Sequence, residues 1–138
     1  FVNYARSVEG VQVAALLVEP AEDGQPWSLS LRSPNLPNFL QATHFAINVL
    51  ARDQIALSQR FSKPIPNKFD GVACKDSSNG MPLLDGSAAF FECRTEARHY
   101  SGDHVIFIGH VLSYSHADCE ALGYHRGRYV STSAIDPN

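Results

Sequence analysis

Two short stretches contain the residues whose types and spacing could support chemistry. The first runs from Phe45 to Gln54 (FAINVLARDQ) and places Asn48 inside an apolar, strand-like segment that leads into a helix. The second, Gly102–Val111 (GDHVIFIGHV), predicts a tight turn and then a strand with His104 at its mouth. A helix start offers unpaired amides that bind phosphate, and a histidine at a strand mouth offers a polar group at a cavity rim. Together these stretches predict a site for an anionic cofactor on a β scaffold.

Each candidate side chain also has a structural interpretation. Asn48 is either a buried amide that fixes the following turn or a ligand contact at the cavity rim. Gln54, in the first helical turn, is either simply exposed or part of the site. His104 is either structural or functional, and the neighbouring Asp103 favours function. The arginines and tyrosine of Arg126–Tyr129 (RGRY) could bind phosphate and stack on a ring, or they could form a solvated surface turn.

Composition places the chain among ordinary globular proteins. It has 138 residues, a hydrophobic fraction of 44%, a charged fraction of 18% and a formal net charge of -3, so we expect one domain over residues 1–138. No basic block suggests nucleic acid as a partner, and no apolar run approaches the roughly 18 residues of a membrane span. Three cysteines at unrelated spacings favour a reducing compartment, the cytoplasm, over a disulfide framework.

The elements that must position these residues are mostly strands. Alternating or apolar runs predict strands at Val11–Val18, Trp27–Leu31, Thr43–Leu50, Ser87–Arg98 and Val105–Leu112. One short helix is expected near Leu36 after an Asn35 cap, and a second is expected from an Asp53 cap to Phe61. Residues 62–86 hold three prolines and three glycines without a lasting period, which predicts a long loop with one helical turn near Lys68.

The two long strands predict how the core is covered. In Ser87–Arg98 one face is expected to be apolar (Ala89, Phe91, Cys93, Ala97) and the other charged (Glu92, Arg94, Glu96, Arg98). Val105–Leu112 is apolar on both faces, which is typical of a strand covered by a barrel interior on one side and a subunit partner on the other. A mainly β chain with two or three short helices is most economically a small barrel.

Signals for other chemistries are weak. His110, His116 and Cys119 could supply three zinc ligands, but their spacing matches no strong motif and a fourth ligand is not evident, so we expect no metal. The sequence contains no Gly-x-Ser-x-Gly, Gly-x-Gly-x-x-Gly or Walker pattern. A nucleotide would therefore bind to a fold other than the Rossmann fold.

Five motifs in order resemble the flavin reductase-like, FMN-binding split-barrel family, the small reductase components of two-component flavin monooxygenases. They are FAINVLAxDQxxLSxxF at 45–61, KFxGV at 68–72, GxPLL at 80–84, GDH with GxV at 102–111, and LGYxRGRY at 122–129. Ala88 and the pair Glu92-Cys93 also follow in the family's order. The resemblance covers about residues 25 to 130.

The resemblance implies a six-stranded antiparallel Greek-key split barrel that forms a homodimer with flavin near the subunit interface. It implies hydride transfer from NADH or NADPH to FMN or FAD, and delivery of reduced flavin to a partner oxygenase. It places His104 near the nicotinamide. No catalytic side chain is expected, because the flavin itself carries the chemistry. A non-catalytic module that binds flavin or only dimerises is the alternative. The implied flavin-binding residues are Asn48, Val49, Leu50, Ala51, Gln54, Phe61, Arg128 and Tyr129.

The N-terminal part departs from the family pattern. Family members open with a Thr-Gly-Val strand, a Gly-rich hairpin and a polar strand ending in Asp-Pro-Pro, which supplies many flavin contacts. Only about 24 residues precede Gln25, and that polar strand is not among them. We expect a segment beyond this sequence to complete the barrel, because missing wall strands would leave exposed edges. The alternative is a chain that has lost part of its flavin cradle and binds flavin weakly.

Overall fold

A computed structural model describes residues 27–31, 36–63, 65–102 and 104–133. Within these ranges the chain is mainly β, as predicted, and none of its helices is long and apolar enough to cross a membrane. The predicted strand Val11–Val18 and the Asn35 cap lie outside the described residues. In chain order the elements are β1 (Trp27–Leu31), α1 (Leu36–Gln41), β2 (His44–Val49), α2 (Ile55–Ser62), β3 (Cys74–Asp76), β4 (Pro82–Leu84), β5 (Ala89–Ser101), β6 (His104–His116), β7 (Leu122–His125) and β8 (Arg128–Ser131).

The main sheet is antiparallel, and its described strands follow the order β1–β6–β5–β2. β5 and β6 form a long hairpin around Gly102, whose φ of +59° is the left-handed conformation that glycine adopts without strain. β2 is held at the other side of β5, with Phe45 opposite Cys93. The pairs β3–β4 and β7–β8 form two small hairpins outside this sheet.

The core lies between the main sheet and α1. Phe107 is fully buried, and Phe39 of α1 packs edge-on against it with ring centroids 6.2 Å apart. A side chain at Gly109 would place its Cβ 2.5 Å from Cζ of Phe45, so the absence of a side chain there makes room for that ring. The buried residues of this cluster are the apolar positions of three strands: Phe45, Cys93, Val105 and Phe107.

The faces of β5 differ from the prediction because the strand contains irregularities. One lies between Thr95 and Ala97, and an extra residue there reverses the alternation of side chains. Arg98 therefore lies opposite the core residue Phe107, with its guanidinium carbon 5.8 Å from the ring centroid, and not on the charged face. Glu92 was also expected on a charged, solvated face, but it is only 2% exposed.

Residues 62–86 are not the continuous loop that the sequence predicted. They contain the hairpin β3–β4, whose strands of 3 residues each are too short for an alternating pattern to be visible. The helical turn predicted near Lys68 is a non-helical turn over residues 68–71. The hairpin β7–β8 was also missed. Its turn is formed by Arg126 and Gly127, with φ of 50° and 81°, so this part of RGRY forms the surface turn that was the structural alternative.

Candidate functional site

Asn48 fastens the end of β2 to β4. Its side-chain Nδ2 donates a hydrogen bond of 3.1 Å to the carbonyl oxygen of Pro82. Its Oδ1 accepts a bond of 2.8 Å from the backbone N–H of Leu84. Both ends of the amide have partners within the chain, so Asn48 has a structural role, but it fixes β4 and not the following turn that the structural interpretation named. A contact between Asn48 and a ligand stays a prediction.

Gln54 closes the turn that follows β2. Its Oε1 accepts a hydrogen bond of 2.9 Å from the N–H of Ala51, and its own N–H donates to the carbonyl of Ala51 at 2.9 Å. Its Nε2 donates a bond of 2.7 Å to the carbonyl of Asp85. The N–H of Arg52 donates to the carbonyl of Glu120 at 2.9 Å. Gln54 is therefore not simply exposed, and three backbone amides of this turn, those of Ala51, Arg52 and Gln54, already have acceptors.

The free amides lie one residue further on, at the start of α2. The helix begins at Ile55, with Gln54 in the N-cap position and no side-chain cap. The predicted Asp53 cap is wrong, because the closed turn between Ala51 and Gln54 contains Asp53 and places it before the helix. The first helical bond joins the Ser58 N–H to the Gln54 carbonyl at 3.1 Å. Three preceding N–H groups therefore find no acceptor among the described residues: those of Ile55, Ala56 and Leu57.

A hollow of about 440 Å³ lies beside α2 and combines features that suit an anion. Its wall includes Ala56 and Leu57, whose amides are unpaired, and the cationic residues Arg60 and Lys63. Unpaired amides at a helix start, together with the positive end of the helix dipole, favour a phosphate group. Asp85 is the one acidic residue among the described residues that line the hollow, against the two cationic residues Arg60 and Lys63.

Two further hollows open around the same segment, residues 85–87. One of about 480 Å³ lies at the turn after β2, and its wall includes Arg52, Asp53, Gly86 and Glu120. It suits an anion less well, because the guanidinium of Arg52 is already 2.8 Å from the Glu120 carboxylate. The other, of about 180 Å³, lies where β4 meets the ends of β5 and β6. Its lining includes Lys75, Ser87, Ser115 and His116.

The Glu120 carboxylate ties the turn after β2 to the end of β8. Hydrogen bonds from Ser133, Ser131 and Arg52 hold the pKa of Glu120 below its usual value. An isolated bridge between Ala51 and Ala121 continues the same contact along the backbone. The turn is thus held by residues close to the C-terminal hairpin.

The KFxGV motif folds back onto the end of α2. The Arg60 guanidinium donates bonds of 2.6 Å to the carbonyls of Lys68 and Asp70. The ammonium group of Lys68 donates a bond of 2.8 Å to the carbonyl of Phe61, and burial lowers the pKa of Lys68. The ring of Phe61 packs edge-on against Phe69, with centroids 5.0 Å apart. These contacts fix one wall of the 440 Å³ hollow.

The C-terminal signature reaches the same helix through Tyr129. Its hydroxyl donates a bond of 3.1 Å to the Ser58 hydroxyl, and its ring packs edge-on against Tyr124 at 5.2 Å. Arg128 is exposed on the hairpin, opposite His125. The structure therefore brings Tyr129 to the helix that carries Phe61.

His104 lies at the opposite end of the sheet from this site. Asn48 pairs with Phe90, and Phe90 pairs with Ser115. His104 is eleven residues before Ser115 on β6 (115 − 104 = 11), which is roughly 36 Å along the strand at about 3.3 Å per residue. Within one chain, the strand register therefore places His104 at the start of β6 and Asn48 beside its far end.

Comparison with known proteins identifies the family. Residues 26–133 match the family model described as a flavin reductase like domain. The chain belongs to the flavin reductase family. This confirms the resemblance drawn from the five sequence motifs.

Among relatives in the flavin reductase family, the chain is 41% identical over 103 residues to the Agrobacterium fabrum protein named "FMN reductase (NADH)". That alignment covers 75% of this chain and 59% of the relative. It is 40% identical over 104 residues to the reductase component of the flavin-dependent trigonelline monooxygenase of Acinetobacter baylyi, covering 75% of this chain and 34% of the relative. The chain thus spans between about a third and three fifths of the length of these two relatives.

A solved structure of the same family has the same fold. It is the homologue of nitrilotriacetate monooxygenase component B from Mycobacterium thermoresistibile, with a TM-score of 0.80 and 26% sequence identity. The superposition covers 89% of this chain and 72% of that chain.

The structure separates two of the three candidate zinc ligands, and the cysteines form no disulfide. The part of the chain that the structure describes contains no group of three or more potential metal ligands. His110 and His116 are six residues apart on one strand (116 − 110 = 6), which separates them by roughly 20 Å. All three cysteines are free. Burial, and then the charge of Glu92, raise the pKa of the Cys93 thiol to about 11, so this thiol is unreactive at neutral pH.

Sequence reasoning missed several residues that surround the hollows. Asp85 and Gly86 each line two of the three hollows, and Gly86 has a φ of +76°. The Asp-Gly dipeptide is a turn signal that could have placed this segment next to a strand end. Ser115 and His116 had no such signal, because only the extension of β6 to His116 brings them there.

Proposed function

We propose that this protein is an NAD(P)H-dependent flavin reductase that transfers hydride from NADH or NADPH to FMN or FAD. In this proposal it supplies reduced flavin to a partner oxygenase. The observation that carries the proposal is the family match over residues 26–133. The two relatives support it, since one is named an NADH-dependent FMN reductase and the other a monooxygenase reductase component.

The residues beside α2 fit the phosphate of a flavin nucleotide. The amides of Ala56 and Leu57 have no acceptor among the described residues, and Arg60 and Lys63 line the same hollow. The two amides would donate to a phosphate without losing an internal partner, whereas the Arg60 guanidinium also binds the carbonyls of Lys68 and Asp70. The 480 Å³ hollow would repel a phosphate, because its wall includes Asp53 and Glu120.

The other predicted binding residues adjoin α2 or its neighbouring hairpin, and none of them lines this hollow. Phe61 lies in the last turn of α2, and Tyr129 contacts the middle of this helix. The segment that leads into the helix contains Asn48, Val49, Leu50, Ala51 and Gln54. We propose that this segment lies along the ribityl chain and that Phe61 and Tyr129 limit the space beside the ring. Arg128, exposed on the neighbouring hairpin, would contact the flavin or the dinucleotide.

The flavin, when bound, supplies the hydride chemistry. The role of the protein is to hold the flavin and nicotinamide rings against each other and to exclude water. The fixed contacts around α2 serve this purpose, because the Arg60 and Gln54 side chains already tie the surrounding loops by bonds of 2.6 and 2.7 Å. Little of the wall then has to be ordered when the ligand binds.

We further propose a six-stranded Greek-key split barrel that acts as a homodimer in the cytoplasm. A second subunit would be the source of a histidine near the flavin, because His104 is roughly 36 Å along the strand from the segment 48–54 of its own chain. The exposed apolar residues Leu112 and Tyr114, which are 44% and 69% exposed on β6, supply surface for such a partner. Free cysteines are consistent with a reducing compartment.

Consumption of NADH or NADPH in the presence of FMN or FAD tests the proposed function. We expect oxidation that depends on both the nicotinamide and the flavin. The same measurement without flavin is the control. A folded preparation that oxidises neither nucleotide above the rate of free flavin would refute the proposal.

A non-catalytic module that binds flavin, or only dimerises, is the second candidate. The observation in its favour is the strand register of one chain, which places His104 at the start of β6 and Asn48 beside its far end. Such a module would give a yellow preparation whose spectrum does not change when NADH or NADPH is added. Bleaching of the flavin absorbance by either nucleotide would exclude it.

A further inference from the structure

Glu92 is a buried carboxylate that the proposed reaction does not use. It lies on β5 and is 2% exposed. Among the described residues, Glu92 is the only polar or charged residue that is buried. A buried charge is costly unless hydrogen bonds compensate it, so its partners indicate what it does.

The partners of Glu92 come from the loop between β3 and β4 and from β6. Its Oε1 accepts hydrogen bonds from the Ser77 hydroxyl and, at 3.0 Å, from the Asn79 side-chain amide. Its Oε2 accepts a bond of 3.1 Å from the Ser113 hydroxyl of β6. The Ser77 oxygen in turn accepts a bond of 3.1 Å from the Met81 N–H, so the carboxylate and one serine together hold the whole loop. Bonds to an ionised acceptor are stronger than neutral ones.

The β3–β4 hairpin depends on such side-chain contacts for its position. In the described part of the chain β3 and β4 pair with each other and with no strand of the main sheet. Side chains attach the hairpin at three points. Glu92 holds its loop, Asn48 holds Pro82 and Leu84 of β4, and Gln54 holds Asp85 just after β4. Two of these three attachments belong to the segment that we propose binds flavin.

We propose that Glu92 is a positioning residue for flavin binding. By fastening the loop 77–81 to β5 and β6, it fixes the position of β4. Because Asn48 and Gln54 bind β4 and the residue that follows it, Glu92 thereby also fixes the position of the segment 48–54. This inference rests on the proposed function. Glu92 itself does not touch the flavin. When the hydrogen bonds of Glu92 are lost, the β3–β4 hairpin can move as a unit. The side chains of Asn48 and Gln54, which bind the hairpin and Asp85, then move with it.

The test compares two substitutions of Glu92 with a matched control in the full chain. Glu92→Ala removes all three bonds. Glu92→Gln keeps an acceptor for Ser77 and Asn79, and its amide can donate to the Ser113 hydroxyl. Glu96→Ala is the control, because Glu96 is an exposed glutamate on the same strand and loses the same charge.

Three quantities are measured for each variant: the Kd for FMN from flavin fluorescence, the KM for NADH, and hydrogen exchange at the Leu84 and Phe107 amides. We expect Glu92→Ala to raise the Kd for FMN about tenfold, since a small misplacement of a binding group is costly. Exchange should accelerate at Leu84 in the hairpin and stay unchanged at Phe107 in the core. The KM for NADH of Glu92→Ala should stay within about twofold of the wild-type value. In Glu92→Gln and Glu96→Ala, both the Kd for FMN and the KM for NADH should stay within about twofold of the wild-type values.

The outcomes separate this inference from the proposed function. If the wild type binds FMN and Glu92→Ala binds it within about twofold, the inference is overturned while the proposed function stands. Equal acceleration of exchange at Leu84 and Phe107 would also overturn it, because Glu92 would then stabilise the whole fold. A wild-type protein that does not bind FMN would overturn the proposed function, and the inference with it.

Discussion

Replacing Asn48 by leucine tests whether its amide holds the site together. The variant removes the bond to the Pro82 carbonyl at 3.1 Å and the bond from the Leu84 N–H at 2.8 Å. Leucine has a similar volume, so the loss is one of hydrogen bonds and not of packing. Each bond contributes about 1 kcal/mol. Because these groups are only partly buried, water can reach those left without a partner, so the two bonds alone set the expected loss, about 2 kcal/mol in the free energy of unfolding.

Urea denaturation of the wild type and two variants measures this loss. Asn48→Asp is the matched comparison, because it keeps an acceptor for the Leu84 N–H but replaces the donor to Pro82 with an oxygen that faces the Pro82 carbonyl oxygen. It should also lower the unfolding free energy, because these two oxygens repel each other. FMN affinity should fall in Asn48→Leu, because the segment that begins at Asn48 loses its attachment to β4. A change in unfolding free energy below about 0.5 kcal/mol would show that these bonds do not hold the hairpin. An unchanged Kd for FMN would leave Asn48 with a purely structural role.

Three further predictions concern single residues. Gly109→Ala places a Cβ 2.5 Å from Cζ of Phe45, so it should lower the unfolding free energy by about 1–3 kcal/mol, and additional Phe45→Leu should restore part of it. Hydrogen bonds, first the one from Ser77, lower the pKa of Glu92 below its ordinary value of 4.5. The ionised Glu92 therefore stabilises the fold fully above pH 4.5, and this stabilisation is lost as the pH falls through the lowered pKa. The Tm difference between wild type and Glu92→Gln should therefore shrink in acid; a constant difference would contradict this. His104→Ala should raise the KM for NADH more than the Kd for flavin, and equal losses in steady-state kinetics and flavin titration would contradict its assignment.

Local patterns predicted the elements that hold the site but not their irregularities. Trp27–Leu31 and the strand around Phe45 were predicted because alternation of apolar residues is a property of neighbouring positions. The bulge between Thr95 and Ala97 was not, because an extra residue leaves no mark in composition. The short strands of β3–β4 were missed for a similar reason, since three residues cannot show a period.

The sequence by itself determined the family, the mainly β composition of the fold and the place where β2 leads into α2. These follow from motifs and from the periodicity of adjacent residues. Only the tertiary structure decided what the polar side chains do. Asn48 and Gln54 bind backbone groups 34, 36 and 31 residues away, and Glu92 binds Ser77 and Ser113 from two other segments. Such partners are brought together by the pairing of strands and the folding back of hairpins, so no local pattern could assign them. The same strand pairing places His104 far from Asn48, although the motifs that contain them had suggested one site.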